Sequence, residues 1–181
     1  NIEAQILIGK GRSFGVEFYV KKKFGDLTGW VSYTLSRTEQ QIDEINQGNW
    51  YPAKYDRSHD LSIIAKYQFN DQIYLSATWV YYTGNAVTFP SGQYTIGGEV
   101  VPYYTERNGY RMPDYHRLDL NLHIKNKESR RVKSSWDFSI YNVYNRYNAY
   151  SIYFRESEIN PDAREAVQVT LFGIIPSITY N

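Results

Sequence analysis

Cysteine is absent from all 181 positions. Disulfides, thiolate nucleophiles and cysteine-based metal sites are therefore excluded, which fits a secreted or envelope protein without requiring one. Histidine is scarce: His59, His116 and His123 are the only three. Metal sites need converging ligands. His116 and His123 are seven apart in one candidate strand, so they face opposite sides and sit roughly 23 Å apart. Charge of one sign is also lacking, with a net of +1. No DNA- or RNA-binding motif accompanies it, so nucleic acid is not an expected partner. Mean hydropathy is low, −0.57, and no run of about 18 apolar residues occurs, so no membrane-spanning helix is expected. That test does not reach strands, in which only alternate residues need be apolar. Gly9-Lys10-Gly11 and Gly97-Gly98 lack the context and spacing of phosphate loops.

What the chain does have is tyrosine, nineteen of them, with four tryptophans. Rings with a polar tip suit membrane interfaces and sugar- or protein-binding surfaces. It also has strict alternation. Through Tyr115 to Ile124, Leu118, Leu120, Leu122 and Ile124 share one side, and Arg117, Asp119, Asn121 and His123 share the other. Successive strand residues face opposite sides, so one face is aliphatic and the other polar.

The pattern recurs along the chain. Strand one is expected from Arg12 to Phe24, with Phe14, Val16, Phe18 and Val20 opposite Gly15, Glu17, Tyr19 and Lys21. Strand two follows from Leu27 to Arg37. Strand three runs from Ser58 to Phe69, with Leu61, Ile63, Ala65, Tyr67 and Phe69 on its apolar side. Strand four runs from Ile73 to Tyr82, with Ile73, Leu75, Ala77, Trp79 and Tyr81 together. Strand five is the Tyr115 to Ile124 stretch. Strand six is expected from Ser134 to Phe154, bulged near Tyr141 to Asn145. Strand seven is expected from Val167 to Asn181, interrupted by Gly173 and Pro176. Connections after strands one, three and five are short, and those after two, four and six are long. The longest, Thr83 to Tyr115, contains Gly92, Gly97, Gly98 and Gly109 among others, and a small hairpin is expected around Gly97-Gly98.

One apolar face, one polar face and alternating short and long connections describe an antiparallel transmembrane β-barrel, with short turns periplasmic and long loops extracellular. Phe14, Val16, Phe18, Val20, Leu61, Ile63, Leu75, Trp79, Leu118, Leu120, Leu122 and Ile124 are then the lipid-facing set. Glu17, Lys21, Arg117, Asp119, Asn121 and His123 line the lumen. Phe24, Trp30, Tyr67, Phe69, Tyr74 and Trp136 at one end, with Tyr81 and Tyr82 at the other, read as an aromatic girdle. Seven strands do not close an even-numbered barrel. Either Ile6-Leu7-Ile8 belongs to a further strand or the chain is part of a larger barrel.

Several segments are collinear with one known family. Gly9 to Glu17, Leu27-Thr28-Gly29-Trp30-Val31-Ser32-Tyr33-Thr34-Leu35-Ser36, Tyr51-Pro52-Ala53-Lys54-Tyr55-Asp56-Arg57-Ser58-His59-Asp60-Leu61 and Ser76 to Asn85 resemble the barrel of TonB-dependent receptors, especially those of Bacteroidetes. Tyr141 to Asn148 is similar to the family's penultimate-strand segment, and Ile174 to Asn181 to its terminal strand. The resemblance implies a 22-stranded barrel plugged by an N-terminal domain, importing a large scarce nutrient with energy delivered by TonB. This chain lacks the plug and TonB box, so residues 1–181 are expected to be the C-terminal part of such a barrel. The implied partners are outer-membrane lipid, the plug and remaining strands of the same protein, TonB and, where the loops carry one, a surface lipoprotein lid. Siderophore, cobalamin, glycan and peptide receptors share this barrel. The implied place is the cell outer membrane, the lumen-facing set would touch the plug, and no cofactor is implied. Two other classes fit the alternation: a small closed outer-membrane barrel with a structural or adhesion role, and a soluble carbohydrate-binding β-sandwich.

Catalysis finds no support. Asp56-Arg57-Ser58-His59-Asp60 has the letters of a triad. On a strand, however, His59 points away from both Ser58 and Asp60, and no nucleophile elbow surrounds Ser58. Arg57 and Asp60 are expected to make polar rim contacts. Trp50, Tyr51, Tyr103, Tyr104 and Tyr110 fall in the long loops and are the expected ligand contacts.

Overall fold

The computed structural model describes residues 6–97, 99–126, 133–157, 159 and 164–181. Gly98 and the turn residues Lys127, Arg130 and Arg131 lie outside the described residues. The chain forms β1 (Lys10–Lys22), β2 (Leu27–Gln41), β3 (Tyr51–Pro52), β4 (His59–Gln68), β5 (Ile73–Tyr82), β6 (Ala86–Val87), β7 (Gly92–Ile96), β8 (Glu99–Tyr103), β9 (Tyr110–Arg111), β10 (Tyr115–Lys125), β11 (Ser135–Tyr141), β12 (Ala149–Glu156), β13 (Arg164–Thr170) and β14 (Ile175–Tyr180).

Seven of these make one antiparallel wall in the order β1-β2-β4-β5-β10-β11-β14. Every wall strand follows its predecessor in sequence. The short links are real turns: Gly25 adopts φ +87° between β1 and β2, and the Asn70 side chain accepts from the Gln72 and Ile73 amides between β4 and β5. The long links carry β3, β6 to β9, and β12 with β13, all beyond one end of the wall. β7 and β8 form the hairpin expected around Gly97.

Register makes the two faces continuous. Phe18 pairs with Tyr33, Tyr33 with Leu61, Leu61 with Tyr81, and Tyr81 with His116. Lower down, Val20, Val31, Ile63, Trp79 and Leu118 form a row, and Ala77, Leu120, Ile140 and Pro176 another. One side of a seven-strand sheet is therefore apolar across its middle rows, with His59 and His116 toward its elaborated end. Among the described residues no second sheet covers it, and Phe14, Val16, Phe18 and Val20 are more than half exposed. A water-soluble sheet needs a second layer on such a face, and the β-sandwich alternative finds none among the described residues. The small closed barrel finds no support either, since β1 and β14 have no strand on their outer sides among the described residues. The apolar band ends where Arg12, Arg37 and Glu39 take over the same face of β1 and β2.

Four expectations change. Strand six is two strands: β11 stops at Tyr141, and β12 pairs with β13 in a separate sheet. Asn142 and Asn145 adopt φ +54° and +53°, left-handed values that asparagine tolerates and that end the ladder where only a bulge was expected. Strand seven divides likewise into β13 and β14. Ile6-Leu7-Ile8 form no strand. Trp30, Tyr74 and Tyr82 leave the girdle, because they pair with Lys21, His123 and Tyr115 and so lie on the polar face.

Candidate functional site

Buried side chains are concentrated at the elaborated end of the sheet, and several of them are charged or polar. Glu39 is 2 % exposed and Asp56 1 %. Burying a carboxylate is costly unless it is paired and hydrogen-bonded, and both are. The Arg12 and Arg37 Nε–H groups donate to Glu39 at 2.7 and 2.8 Å. Asp56 takes an ion pair from Arg111 and the Thr38 amide at 2.5 Å. Arg111 also donates to the carbonyls of Asp56 and Gly84. It thereby joins the loop after β2 to the loop after β5.

Other bonds reinforce that junction. Asn46 donates to the Arg107 carbonyl at 2.9 Å and accepts from the Arg107 amide at 2.7 Å. Asn108 donates to the Pro52 carbonyl. A Cβ on Gly84 would overlap the Met112 carbonyl, so glycine lets the two arms of the loop after β5 approach each other. The long loops are thus welded into a preformed rim.

Glu39 is pulled two ways. Burial raises its pKa, but the two guanidinium groups outweigh it and hold it below the ordinary 4.5. A depressed carboxylate pKa stabilises the fold above the ordinary value and loses that contribution as pH falls through the depressed one. Trp50 reports on this clamp, since the Arg12 guanidinium lies 4.2 Å over its ring. Its fluorescence, isolated by comparison with Trp50→Phe, should hold steady down through the ordinary carboxylate range and change only at more acid pH. A transition centred on the ordinary value would show that the clamp exerts no hold.

The five loop aromatics fare differently. Tyr51 is 2 % exposed, enclosed in the weld, and its hydroxyl has no hydrogen-bond partner among the described residues. It packs within the rim, away from solvent. Trp50 lies under Arg12. Tyr103 stacks on Tyr94 at 6.3 Å and Tyr110 rests against Phe89 at 5.8 Å. Tyr104 lines a cleft of about 1180 Å³ together with Tyr55 and Tyr150. Tyr55 and Tyr150 escaped sequence reasoning, because nothing local distinguishes an exposed loop tyrosine from one facing a cleft.

Below the rim, the polar face is networked. Arg57 lies 3.9 Å over Tyr82, which stacks on Tyr115 at 4.5 Å with planes 1° apart. Arg117 pairs with Asp119 at 2.9 Å, donates to the Tyr115 and Tyr141 hydroxyls, and covers the Tyr141 ring. His123 meets Asp137 at 2.8 Å and stacks on Tyr74. Asn121 donates to Asp137 and accepts from Ser139. Arg117, Asp119, Asn121 and His123 are therefore brought into two adjoining clusters, while Glu17 and Lys21 stand apart on β1.

His123 bonds Asp137, and His59 bonds Tyr33 on the apolar face at 2.8 Å. Arg57 and Asp60 do meet at the rim, at 3.8 Å. Among the described residues no cluster of three metal-ligating side chains exists.

Residues 2–145 match the family described as TonB dependent receptor-like, beta-barrel. The chain belongs to that family. No curated protein and no solved structure is significantly similar to it. Membership in the TonB-dependent receptor family places the chain in the outer membrane, in a group of receptors and transporters that contain a plug and engage TonB. A receptor barrel accounts for the one-layer wall: the apolar side needs no second sheet when lipid can cover it.

Proposed function

We propose that this chain forms part of the barrel wall and the outer loops of a receptor that imports a large, scarce nutrient. The observation that carries the reading is the pairing of a continuous apolar face across seven strands with a welded, cleft-bearing rim at one end only. Lipid covers the Phe14, Phe18, Leu61, Trp79 and Leu120 side. The Arg117 to His123 side looks into the lumen, toward the plug. Strands from the rest of the same protein pair the outer edges of β1 and β14, because an open edge in hydrocarbon costs several kcal/mol per unsatisfied group. Residues 1–181 are then one stretch of a larger barrel, its C-terminal part. The rim loops face outward and capture substrate.

Trypsin on intact cells tests the orientation. Lys54 is exposed on the loop after β2 and should be cut first, ahead of Arg107, whose backbone is held by Asn46. Arg57 and Arg111 are held in rim bonds and should be cut slowly. Cleavage between Lys127 and Arg131 without permeabilisation would invert the proposed topology. Transport is tested by deleting the full-length gene and, separately, TonB. Loss of substrate-limited growth in both strains is the expected outcome, and unchanged growth in both would remove the transport reading.

A further inference from the structure

The apolar side of the wall ends in a charged cluster that the transport reading does not use. Arg12 and Arg37 lie on the same face of β1 and β2 as Phe14, Val16 and Leu35. Both point their Nε–H and Nη2 groups at Glu39, Arg12 at 2.7 and 2.6 Å and Arg37 at 2.8 and 2.6 Å. Two guanidinium groups thus meet one carboxylate, and one positive charge is left over. The carboxylate is hidden, while the Arg12 and Arg37 side chains are 47 % and 62 % exposed. The cluster therefore displays its positive charge and conceals the negative one. Among the described residues no second carboxylate pairs with either arginine.

Glu39 also fixes both forks in advance. It takes the Nε edge of each, which leaves the Nη1 groups open to a further acceptor. The Trp50 ring, 4.2 Å from the Arg12 guanidinium, holds that fork from a second side. The depth is that of lipid headgroups. Arg12 and Lys22, the charged ends of this face on β1, are ten residues apart, roughly 33 Å of strand. The tilt of barrel strands, roughly 35–45°, shortens this to about 25 Å, the height of the apolar band. Arg37 sits on β2, inside the wall, and a strand added beside β1 would extend the sheet sideways and leave this face open. At the plain end the same face offers Tyr67, Trp136 and Tyr180 beside Lys22, and no comparable arginine pair among the described residues.

We infer that Arg12 and Arg37 bind a phosphate of the outer-leaflet glycolipid, a phosphorylated and acylated sugar of the lipid A class. The inference rests on the outward orientation of the rim proposed above. Guanidinium forks match phosphate oxygens in pairs. Acyl chains on the same headgroup then run down Phe14, Val16, Leu35 and Phe18, all exposed on this face. A free phosphate would use the arginines and leave that apolar lane uncovered. A neutral lipid would cover the lane and leave the surplus charge unanswered. A lipid with a phosphorylated head satisfies both. The site is on the outer wall, and neither arginine lines the rim cleft.

The test uses the full-length receptor, purified from outer membranes and stripped of lipid in detergent. It is titrated with bisphosphorylated lipid A, with the dephosphorylated form and with inorganic phosphate. Native mass spectrometry counts bound lipid, and Trp50 fluorescence, compared with Trp50→Phe, gives a second readout. Phosphorylated lipid A should bind, and the dephosphorylated form should bind about tenfold or more weakly. Arg37→Gln should weaken the phosphorylated form by a similar factor, and Arg37→Lys, which keeps the charge and loses the fork, by less. Lys22→Gln, on the same face at the plain end, should change nothing. If Arg37→Gln does not assemble, Arg12→Gln, Arg37→Gln and Glu39→Gln combined remove the site without leaving a buried charge. Equal binding of the two lipid forms, or undiminished binding by the arginine variants, would overturn the site. So would inorganic phosphate competing at the lipid's own concentration, which would mark a free-anion site, or a loss on Lys22→Gln in place of Arg37→Gln. The receptor reading is judged apart, by growth of the deletion strain. A protein that binds no phosphorylated lipid, yet whose deletion stops substrate-limited growth, loses this site and keeps its transport role.

Discussion

Leu120→Arg is expected to damage assembly of the full-length receptor severely, by about 2–4 kcal/mol for an arginine at mid-membrane depth. Leu120 pairs with Ala77 and Ile140 in the middle of the apolar face, with no polar group of the wall to receive the guanidinium. Asn121→Arg, one residue on, points the opposite way. It is not cost-free, because Asn121 bonds Asp137 and Ser139, each such bond contributing about 0.5–1.5 kcal/mol. The incoming guanidinium, however, arrives beside the Asp137 carboxylate, which offsets part of that loss. Heat-modifiable mobility and surface abundance measure the outcome. Equal damage from the two substitutions would contradict the facing of the wall.

The second large effect is at the rim. Arg111→Ala leaves Asp56 buried with little beyond the Thr38 amide to hold its charge. Removing one partner of a buried pair costs about 3–5 kcal/mol, and the low end applies here because Arg111 is 36 % exposed. The loss is local. Tryptic cleavage at Lys54 and Arg107 of the purified receptor should accelerate strongly, while barrel assembly stays normal because the wall strands do not depend on the weld. Arg111→Ala combined with Asp56→Ala should be milder than Arg111→Ala alone, since no orphan charge remains. A double variant that is simply the sum of two large losses would show that Asp56 and Arg111 do not act as a pair.

These two experiments divide the molecule as its physics does. Wall strands announce themselves locally, since a period of two is written residue by residue. The stretch Leu118 to Ile124 has one reading as a strand, and β5 matches its expected bounds, Ile73 to Tyr82, residue for residue. The short turns are legible for the same reason, through Gly25 and Asn70. The rim is not. Nothing local marks Glu39, Asp56 and Arg111 as buried or paired with buried groups, because Arg12, Thr38 and Asp56 lie 27, 18 and 55 residues from them, although Arg37 is two residues from Glu39. Burial of a carboxylate depends on what the fold brings to it. The burial of Tyr51 is illegible for the same reason: a loop tyrosine looks exposed until the fold closes over it.

Sequence alone therefore determined that this chain makes a two-faced antiparallel sheet with one plain and one elaborated end, because side-chain alternation and turn chemistry are local. Trp30, Tyr74 and Tyr82 read as girdle residues from their place near the strand ends, and register puts them on the polar face. Only tertiary structure decided that Asn142 and Asn145 divert β12 and β13 out of the wall, that the loops after β2 and β5 are welded by a buried ion pair, and that Tyr55, Tyr104 and Tyr150 from distant links line one cleft. Each of those depends on groups far apart in sequence meeting where water is excluded, and no local pattern records such a meeting.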